Sequence, residues 1–307
     1  MSELENKDTG SLESAMRRYD IPLFMDKRQP VDTLPLFVLV LSAMEAARNY
    51  ATEPLLRYLK TGLTPLEDTE ISLLEDYLFI WNITGEAWCQ DFTQHPDGYV
   101  DPDKKEQSEE DVQRVQKRLD ILNALRRKVI EPIRRLHEAV FAQKAEEIGE
   151  AVWRLLTDLD AAASLRAYAD KLERAGEPEW ADLQRQSWDI LMELLDQAMY
   201  TLGDRPVGYR RFLEFFRLMV SLRDAGGIPQ KLDQAAAGGA DRMRPGRPRA
   251  VFVLGLNQGV FPAAPGSGGV FHPAERTQLI DIGLPVTDNW LADSIEENYL
   301  FLFTHMR

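Results

Sequence analysis

The amino-acid sequence predicts an α/β protein that is predominantly α: a large helical block between two pieces of strand–helix character, the latter carrying a small parallel β-sheet. Three observations predict it. Apolar residues recur at three- and four-residue spacing through most of residues 35–225, the mark of amphipathic helices. Two short apolar runs, residues 21–25 and 251–254, have strand length and flank that block. The second run, Val251-Phe252-Val253-Leu254, stops at Gly255 and opens into the polar turn Asn257-Gln258-Gly259. A short apolar run that ends at glycine reads as a buried strand of a parallel sheet. Ligands gather at the carboxyl ends of such strands, so this turn is the expected working edge.

Taken in order, residues 1–15 hold little apolar content and are expected to be disordered. Residues 21–25 read as a strand, followed by a polar turn to Pro30. Pro35 starts a helix, its fixed φ suiting the first helical position, with Phe37, Val40, Leu41 and Met44 at helical spacing. A short helix over 55–59 ends at Gly62, and another over 67–80 carries Ile71, Leu74 and Leu78 on one face. The periodicity fails from 81 to 105, where His95-Pro96-Asp97-Gly98 and Asp101-Pro102-Asp103 are turn chemistry. Ser108 with Asp111 resembles a capping box. The frame Val112, Val115, Leu119, Leu122, Leu125, Val129, Ile133, Leu136, Val140 then predicts one long helix that Pro132 must kink or interrupt. Further helices are predicted over 146–159, 161–175, 179–202 and 209–225, and Gly226-Gly227-Ile228-Pro229 ends the last. Residues 234–246, rich in Ala, Gly and Arg, read as a loop before the second strand. Residues 265–269 read as a Gly-rich turn, and 273–280 and 294–304 as helices.

With 307 residues, 44% of them hydrophobic, the chain can bury a sizeable core and hold two domains. It has no apolar run long enough to span a membrane, and its polar, acidic opening, MSELENKDTGSLES, is not a signal peptide. One cysteine, Cys89, excludes an internal disulfide and any site built on several thiolates, which points to a reducing cytoplasm. Beside Trp88, Cys89 reads as a packed small hydrophobe. The net charge of −14 runs against an isolated nucleic-acid-binding domain, which is usually basic.

The chemistry of nucleotide hydrolysis is missing from these residues. No GxxxxGK[ST] loop occurs, and no carboxylate ends the apolar strand. His95, His137, His272 and His305 show no metal-ligand spacing; His137, on an Arg- and Glu-rich helix, reads as solvated. Acidic residues occur as helix-surface partners of Lys and Arg rather than as a converging metal set. One cluster does stand out: Arg242, Arg244, Arg247 and Arg249 lie within eight residues, opposed only by Asp241, on backbone kept extended by Pro245 and Pro248. Arginine suits bidentate phosphate contact, and a solvated loop is the competing reading. Trp153, Tyr168, Trp180, Trp188, Tyr209, Phe212, Phe215 and Phe216 sit mostly at helical spacing and read as core.

The stretch RAVFVLGLNQGVFP, residues 249–262, resembles the motif V region of superfamily 1 DNA helicases, and more narrowly the AddB (RexB) subunits of bacterial ATP-dependent helicase–nucleases. Lys231-Leu232-Asp233-Gln234 and Gly239-Ala240-Asp241-Arg242-Met243-Arg244 are similar to those subunits' lead-in, and Phe271-His272-Pro273-Ala274-Glu275-Arg276 to their next helix. Glu296-Glu297-Asn298-Tyr299-Leu300-Phe301 is similar to the start of motif VI, which places Arg307 at that motif's arginine. Nearer the start, Ile21-Pro22-Leu23-Phe24-Met25-Asp26 and Arg57-Tyr58-Leu59-Lys60-Thr61-Gly62 also fit.

The resemblance implies a P-loop helicase 2A-like domain split between residues 16–50 and 230–307, with 51–229 a helical 2B-like insertion. It implies a segment that starts after motif IV and stops inside motif VI. It turns Arg242, Arg244, Arg247 and Arg249, with Asn257 and Gln258 on the polar turn, into candidate contacts to single-stranded DNA. It further implies an AddA-type helicase–nuclease as partner and work in double-strand break resection and recombinational repair. No cofactor is expected in this segment; the family's ATP, Mg²⁺ and iron–sulfur cluster belong to other regions. The Thr, His and Lys-Gly of an active motif V lead-in are absent, which sets aside a fragment of a working motor. The rival reading is a helical protein-interaction scaffold with no DNA contact, which the acidic balance favours.

Overall fold

Apolar residues on every side make residues 35–49 a helix that must be surrounded, and the fold is arranged around it. The computed structural model describes residues 4–25, 28–99, 109–203, 205–226, 234–238, 249–254 and 273–284. Helix α2 (Pro35–Asn49) has Leu36, Phe37, Leu39, Val40, Ala43, Met44, Ala46 and Ala47 fully buried. An all-apolar helix of this kind belongs in a core. Pro35 stands at its first turn, and Tyr50 closes it in the left-handed conformation at φ 53°.

Around α2 stand α3 (Thr52–Leu59), α4 (Asp68–Ile80), α5 (Glu109–Glu138), α6 (Ala145–Asp158), α7 (Ala161–Arg174), α8 (Pro178–Leu202) and α9 (Tyr209–Ser221). Helix α2 packs directly on α3, α5, α8 and α9, and α7 with α8 forms a closely packed pair. The α5 frame reads out as predicted: Leu119, Leu122, Leu125, Val129, Ile133 and Leu136 are buried. Val112, one turn from the helix start, is exposed. The helix runs through Pro132 without interruption. Proline lacks the N–H that would bond the carbonyl four residues earlier, that of Lys128. At α4, Glu67 and Glu70 form a reciprocal capping box, which fixes the start of that helix. Gly149 of α6 lets α8 approach closely: a Cβ there would lie 2.6 Å from the Met199 sulfur.

Residues 28–226 form one compact unit, so α2, assigned from sequence to the split domain, lies at the centre of the helical body. Its two strands, β2 (Arg28–Pro30) and β3 (Asp224–Gly226), pair antiparallel and tie its ends together. The predicted helix over 209–225 thus stops at Ser221 and its last residues become strand.

The second unit groups residues 4–25 with 234–238, 249–254 and 273–284. In it, β1 (Leu23–Met25) pairs in parallel with β4 (Ala235–Ala237), starting from the Ala235 N–H donating to the Pro22 carbonyl at 2.8 Å. A small parallel sheet is therefore present, but with a different second strand from the one expected. Residues 251–254 form no strand, and Val251, Phe252 and Leu254 are 50%, 87% and 68% exposed rather than buried. An apolar run supplies side chains for a core but not the neighbouring backbone that makes a strand. Here the neighbour of β1 comes from the alanine-rich stretch read as a loop. Where composition predicts disorder, α1 (Leu4–Arg18) is helical, with Arg17 and Arg18 in its last turn favourably placed against the helix dipole. Helix α10 (Pro273–Asp281) matches its expectation. The capping serine, Ser108, and the helix expected over 294–304 lie outside the described residues.

Candidate nucleic-acid interface

Of the residues that sequence singles out for DNA, Arg249 is described and exposed. Arg242, Arg244, Arg247, Asn257, Gln258, Glu296, Glu297 and Arg307 lie outside the described residues. Arg249 leads into the run Val251-Phe252-Val253-Leu254, exposed at all but Val253, so this guanidinium and an accessible aromatic ring stand three residues apart on one stretch without regular secondary structure. Exposed aromatics beside cations suit stacking with unpaired bases.

The helical body carries a second basic feature that periodicity did not flag. Arg127, Lys128 and Arg135 of α5 line a groove of about 440 Å³ with Ala124, Glu131, Pro132 and Asp158. Much of its charge is already matched: Arg135 pairs with Asp158 at 2.8 Å and Glu131 at 4.0 Å, and Lys128 with Glu70 at 4.0 Å. Arg127 makes no ion pair among the described residues. A phosphate would find one available guanidinium here and would have to displace carboxylates from the rest.

The best-built polar site faces inward. Arg126, 4% exposed, donates to the Trp88 carbonyl at 2.9 Å, to Asn123 Oδ1 at 3.2 Å and to the Asp91 carboxylate, with its guanidinium 5.6 Å from the centre of the Phe92 ring. Asn123 accepts from the Phe92 N–H at 2.7 Å and donates to the Phe92 carbonyl at 2.9 Å. These two α5 side chains hold the 85–95 segment, with its short 3₁₀ turn at Gly85–Cys89, against the core. Trp88 is buried, its indole N–H donating to Thr52 Oγ1 at 3.1 Å. The buried groups of this network, Arg126, Asn123 and the backbone of Phe92 and Trp88, find their partners inside the protein, and the Asp91 carboxylate is its exposed end. Its buried part is therefore structural.

Cys89 is half-buried beside Tyr50. Burial, reinforced by Glu86, pushes its thiol up, which is the inert direction for a cysteine. Burial, then Cys89 and Glu86, push the Tyr50 phenol up to about 12. His137, expected in solvent, is half-buried between the rings of Tyr50 and Phe141 and bonds through Nδ1 to the Ala47 carbonyl, one of the last in α2. Among the described residues no group of three or more His, Cys, Asp or Glu could hold a metal ion, and no helix is long and apolar enough to cross a membrane. Of the aromatic set, Tyr209, Phe212 and Phe216 are buried; Trp153 and Trp180 are 52% and 44% exposed.

No protein-family model matches the chain. Individual proteins do. It is 34% identical over 302 residues to a protein of Desulforudis audaxviator, covering 92% of this chain and 25% of the relative. It is 34% identical over 279 residues to one of Heliobacterium modesticaldum, covering 88% and 22%. It is 29% identical over 289 residues to one of Ruminiclostridium cellulolyticum, covering 94% and 25%. The chain spans about a quarter of the length of the curated relatives it matches. These matches and the mostly helical body define a segment related to the subunits of ATP-dependent helicase–nucleases. More narrowly, all three relatives carry the name of the AddB subunit of ATP-dependent helicase/deoxyribonuclease, and this chain is homologous to a segment of AddB.

Proposed function

We propose that this chain is a non-catalytic, DNA-handling segment of an AddB-type subunit. The observation that carries the reading is its identity of 29–34% to AddB proteins along nearly its whole length. The parent would work in the cytoplasm with an AddA-type helicase–nuclease, resecting double-strand breaks for recombinational repair. Residues 242–249 would touch the single strand, the arginines gripping phosphates in the bidentate geometry they favour. Arg249 is the described member of that track, with exposed Phe252 three residues further on. The split 2A-like domain and 2B-like insertion belong to the same proposal, with ATP, Mg²⁺ and the iron–sulfur cluster held by other regions. Motif VI-like Glu296 and Glu297 would serve helix placement, and Arg307, at that motif's arginine position, would take no part in phosphate transfer, since no phosphate-binding loop occurs in these residues.

The purified 307-residue chain should show neither ATPase nor nuclease activity with single-stranded DNA and Mg²⁺ or Mn²⁺. ATP turnover that survives repurification would overturn the non-catalytic reading. A second reading, a protein-interaction scaffold, draws on the −14 charge. It predicts no measurable affinity for single-stranded oligonucleotides even at low salt, where phosphate contacts are strongest.

A further inference from the structure

We propose that the α6–α8 face of the helical body docks a basic amphipathic helix of a partner protein. Three observations converge there. The first is a groove of about 410 Å³ with Leu165 and Trp188 in its lining and Arg166, Asp170, Arg185 and Asp189 around them. Its size takes an apolar anchor side chain, and a cleft with a helix on either wall is a common seat for a third helix. The second is Trp153 of α6, 52% exposed, with its ring centroid 6.3 Å from that of Trp188, so the two indoles extend the apolar lining toward solvent. Large aromatic faces are frequent anchors of protein interfaces, and their π-faces attract Lys and Arg.

The third observation is charge. Residues 145–203, counted over all sides of their helices, hold 13 acidic side chains and five basic ones, and at the groove itself Asp170, Glu173, Asp182 and Asp189 stand against Arg166 and Arg185. The face already shows how it treats a guanidinium: Arg185 is held by Asp170 at 3.3 Å, Glu173 at 2.5 Å and Asp182 at 3.1 Å. Asp189, on the groove rim, makes no ion pair among the described residues. Among those residues Arg166 is the one groove cation left unmatched, too few to reverse the sign of the surface. Such a face repels phosphate and steers a basic partner toward it. The proposal concerns a different face and a different partner class from the DNA track, and either can fail without the other.

The test uses the 307-residue chain and a fluorescein-labelled synthetic helical peptide with one lysine face and one leucine face, titrated by anisotropy at physiological salt. Trp153→Ala combined with Asp189→Lys should raise its Kd at least about tenfold. Asp120→Lys, the same charge change on exposed α5 surface, should leave it within about twofold. Should the double variant lose its far-UV circular dichroism, Asp189→Asn alone takes its place, with an expected rise of about threefold. Equal effects of the groove variant and of Asp120→Lys would mean attraction to net charge only and would overturn the proposal. So would absence of peptide binding. A single-stranded oligonucleotide that competes for this face, with affinity lost in the same variant, would overturn it too and reassign the face to nucleic acid.

Discussion

Replacing Asn123 with leucine removes the clamp between α5 and the 85–95 segment while nearly preserving side-chain volume. In the native protein, Asn123 satisfies both the N–H and the C=O of Phe92, at 2.7 and 2.9 Å. Both residues are buried, at 8% and 5% exposure, so water cannot replace the lost partners without opening the segment. Each buried group left unpaired costs about 1–3 kcal/mol. Two of them, offset by about 1 kcal/mol from the extra apolar burial of leucine, leave a net loss of about 1–5 kcal/mol. Urea unfolding followed by circular dichroism should show a lower midpoint at unchanged slope, since the surface exposed on unfolding is the same. Hydrogen exchange should localise the effect, with the Phe92 amide exchanging at least about tenfold faster. A loss below about 0.5 kcal/mol, with Phe92 still protected, would refute the view that this pair of bonds holds the segment.

Arg126→Met should cost about 2–3 kcal/mol, because the buried Trp88 carbonyl loses its donor, whereas Asp91→Asn should cost less, its carboxylate being 68% exposed. Urea midpoints that reverse this order would place the charge of Asp91, not the bond to Trp88, at the centre of the network. Tyr50 holds its proton more tightly folded than unfolded, so its contribution to stability is complete below pH about 10 and is lost as pH rises toward about 12. Tyr50→Phe should therefore flatten the fall in stability across that window, and an unchanged profile would show that Tyr50 does not set it. Cys89, with its thiol pushed up by burial, should react with iodoacetamide at pH about 8 more slowly than free cysteine; a faster reaction would contradict a packed thiol.

The helical body was legible because its sequence carries a period. Phe37, Val40 and Met44 on α2, and Leu119 to Leu136 on α5, announce buried faces that need no knowledge of what covers them. The Arg126 network was not legible, because its partners lie 35 and 38 residues away and Arg126-Arg127-Lys128 reads as a solvated run. The β1–β4 pair was hidden for a different reason: alanine has little strand preference, and Ala235–Ala237 becomes a strand only through its neighbour. Conversely, residues 251–254 have strand-like composition and form none. The candidate site was legible as chemistry, four arginines in eight residues beside a family-like stretch, and that is also the level at which the kinship to AddB was visible. Hydrophobic pattern carries no information on the geometry of such a cluster, because arginine side chains take no part in the apolar period that marks a core.

The most direct test of the DNA-handling claim is the salt dependence of single-strand binding with Arg242, Arg244, Arg247 and Arg249 all replaced by alanine. Each phosphate contact contributes a slope of about −0.7 to log K against log salt on single strands. Losing even two contacts should flatten the slope by about 1.4, with weaker binding and unchanged far-UV circular dichroism. The parent complex is the stronger setting for the measurement, since the chain's own −14 charge opposes binding. A flatter slope in the variant is the predicted result; identical slope and affinity would contradict it and return the four arginines to a solvated loop.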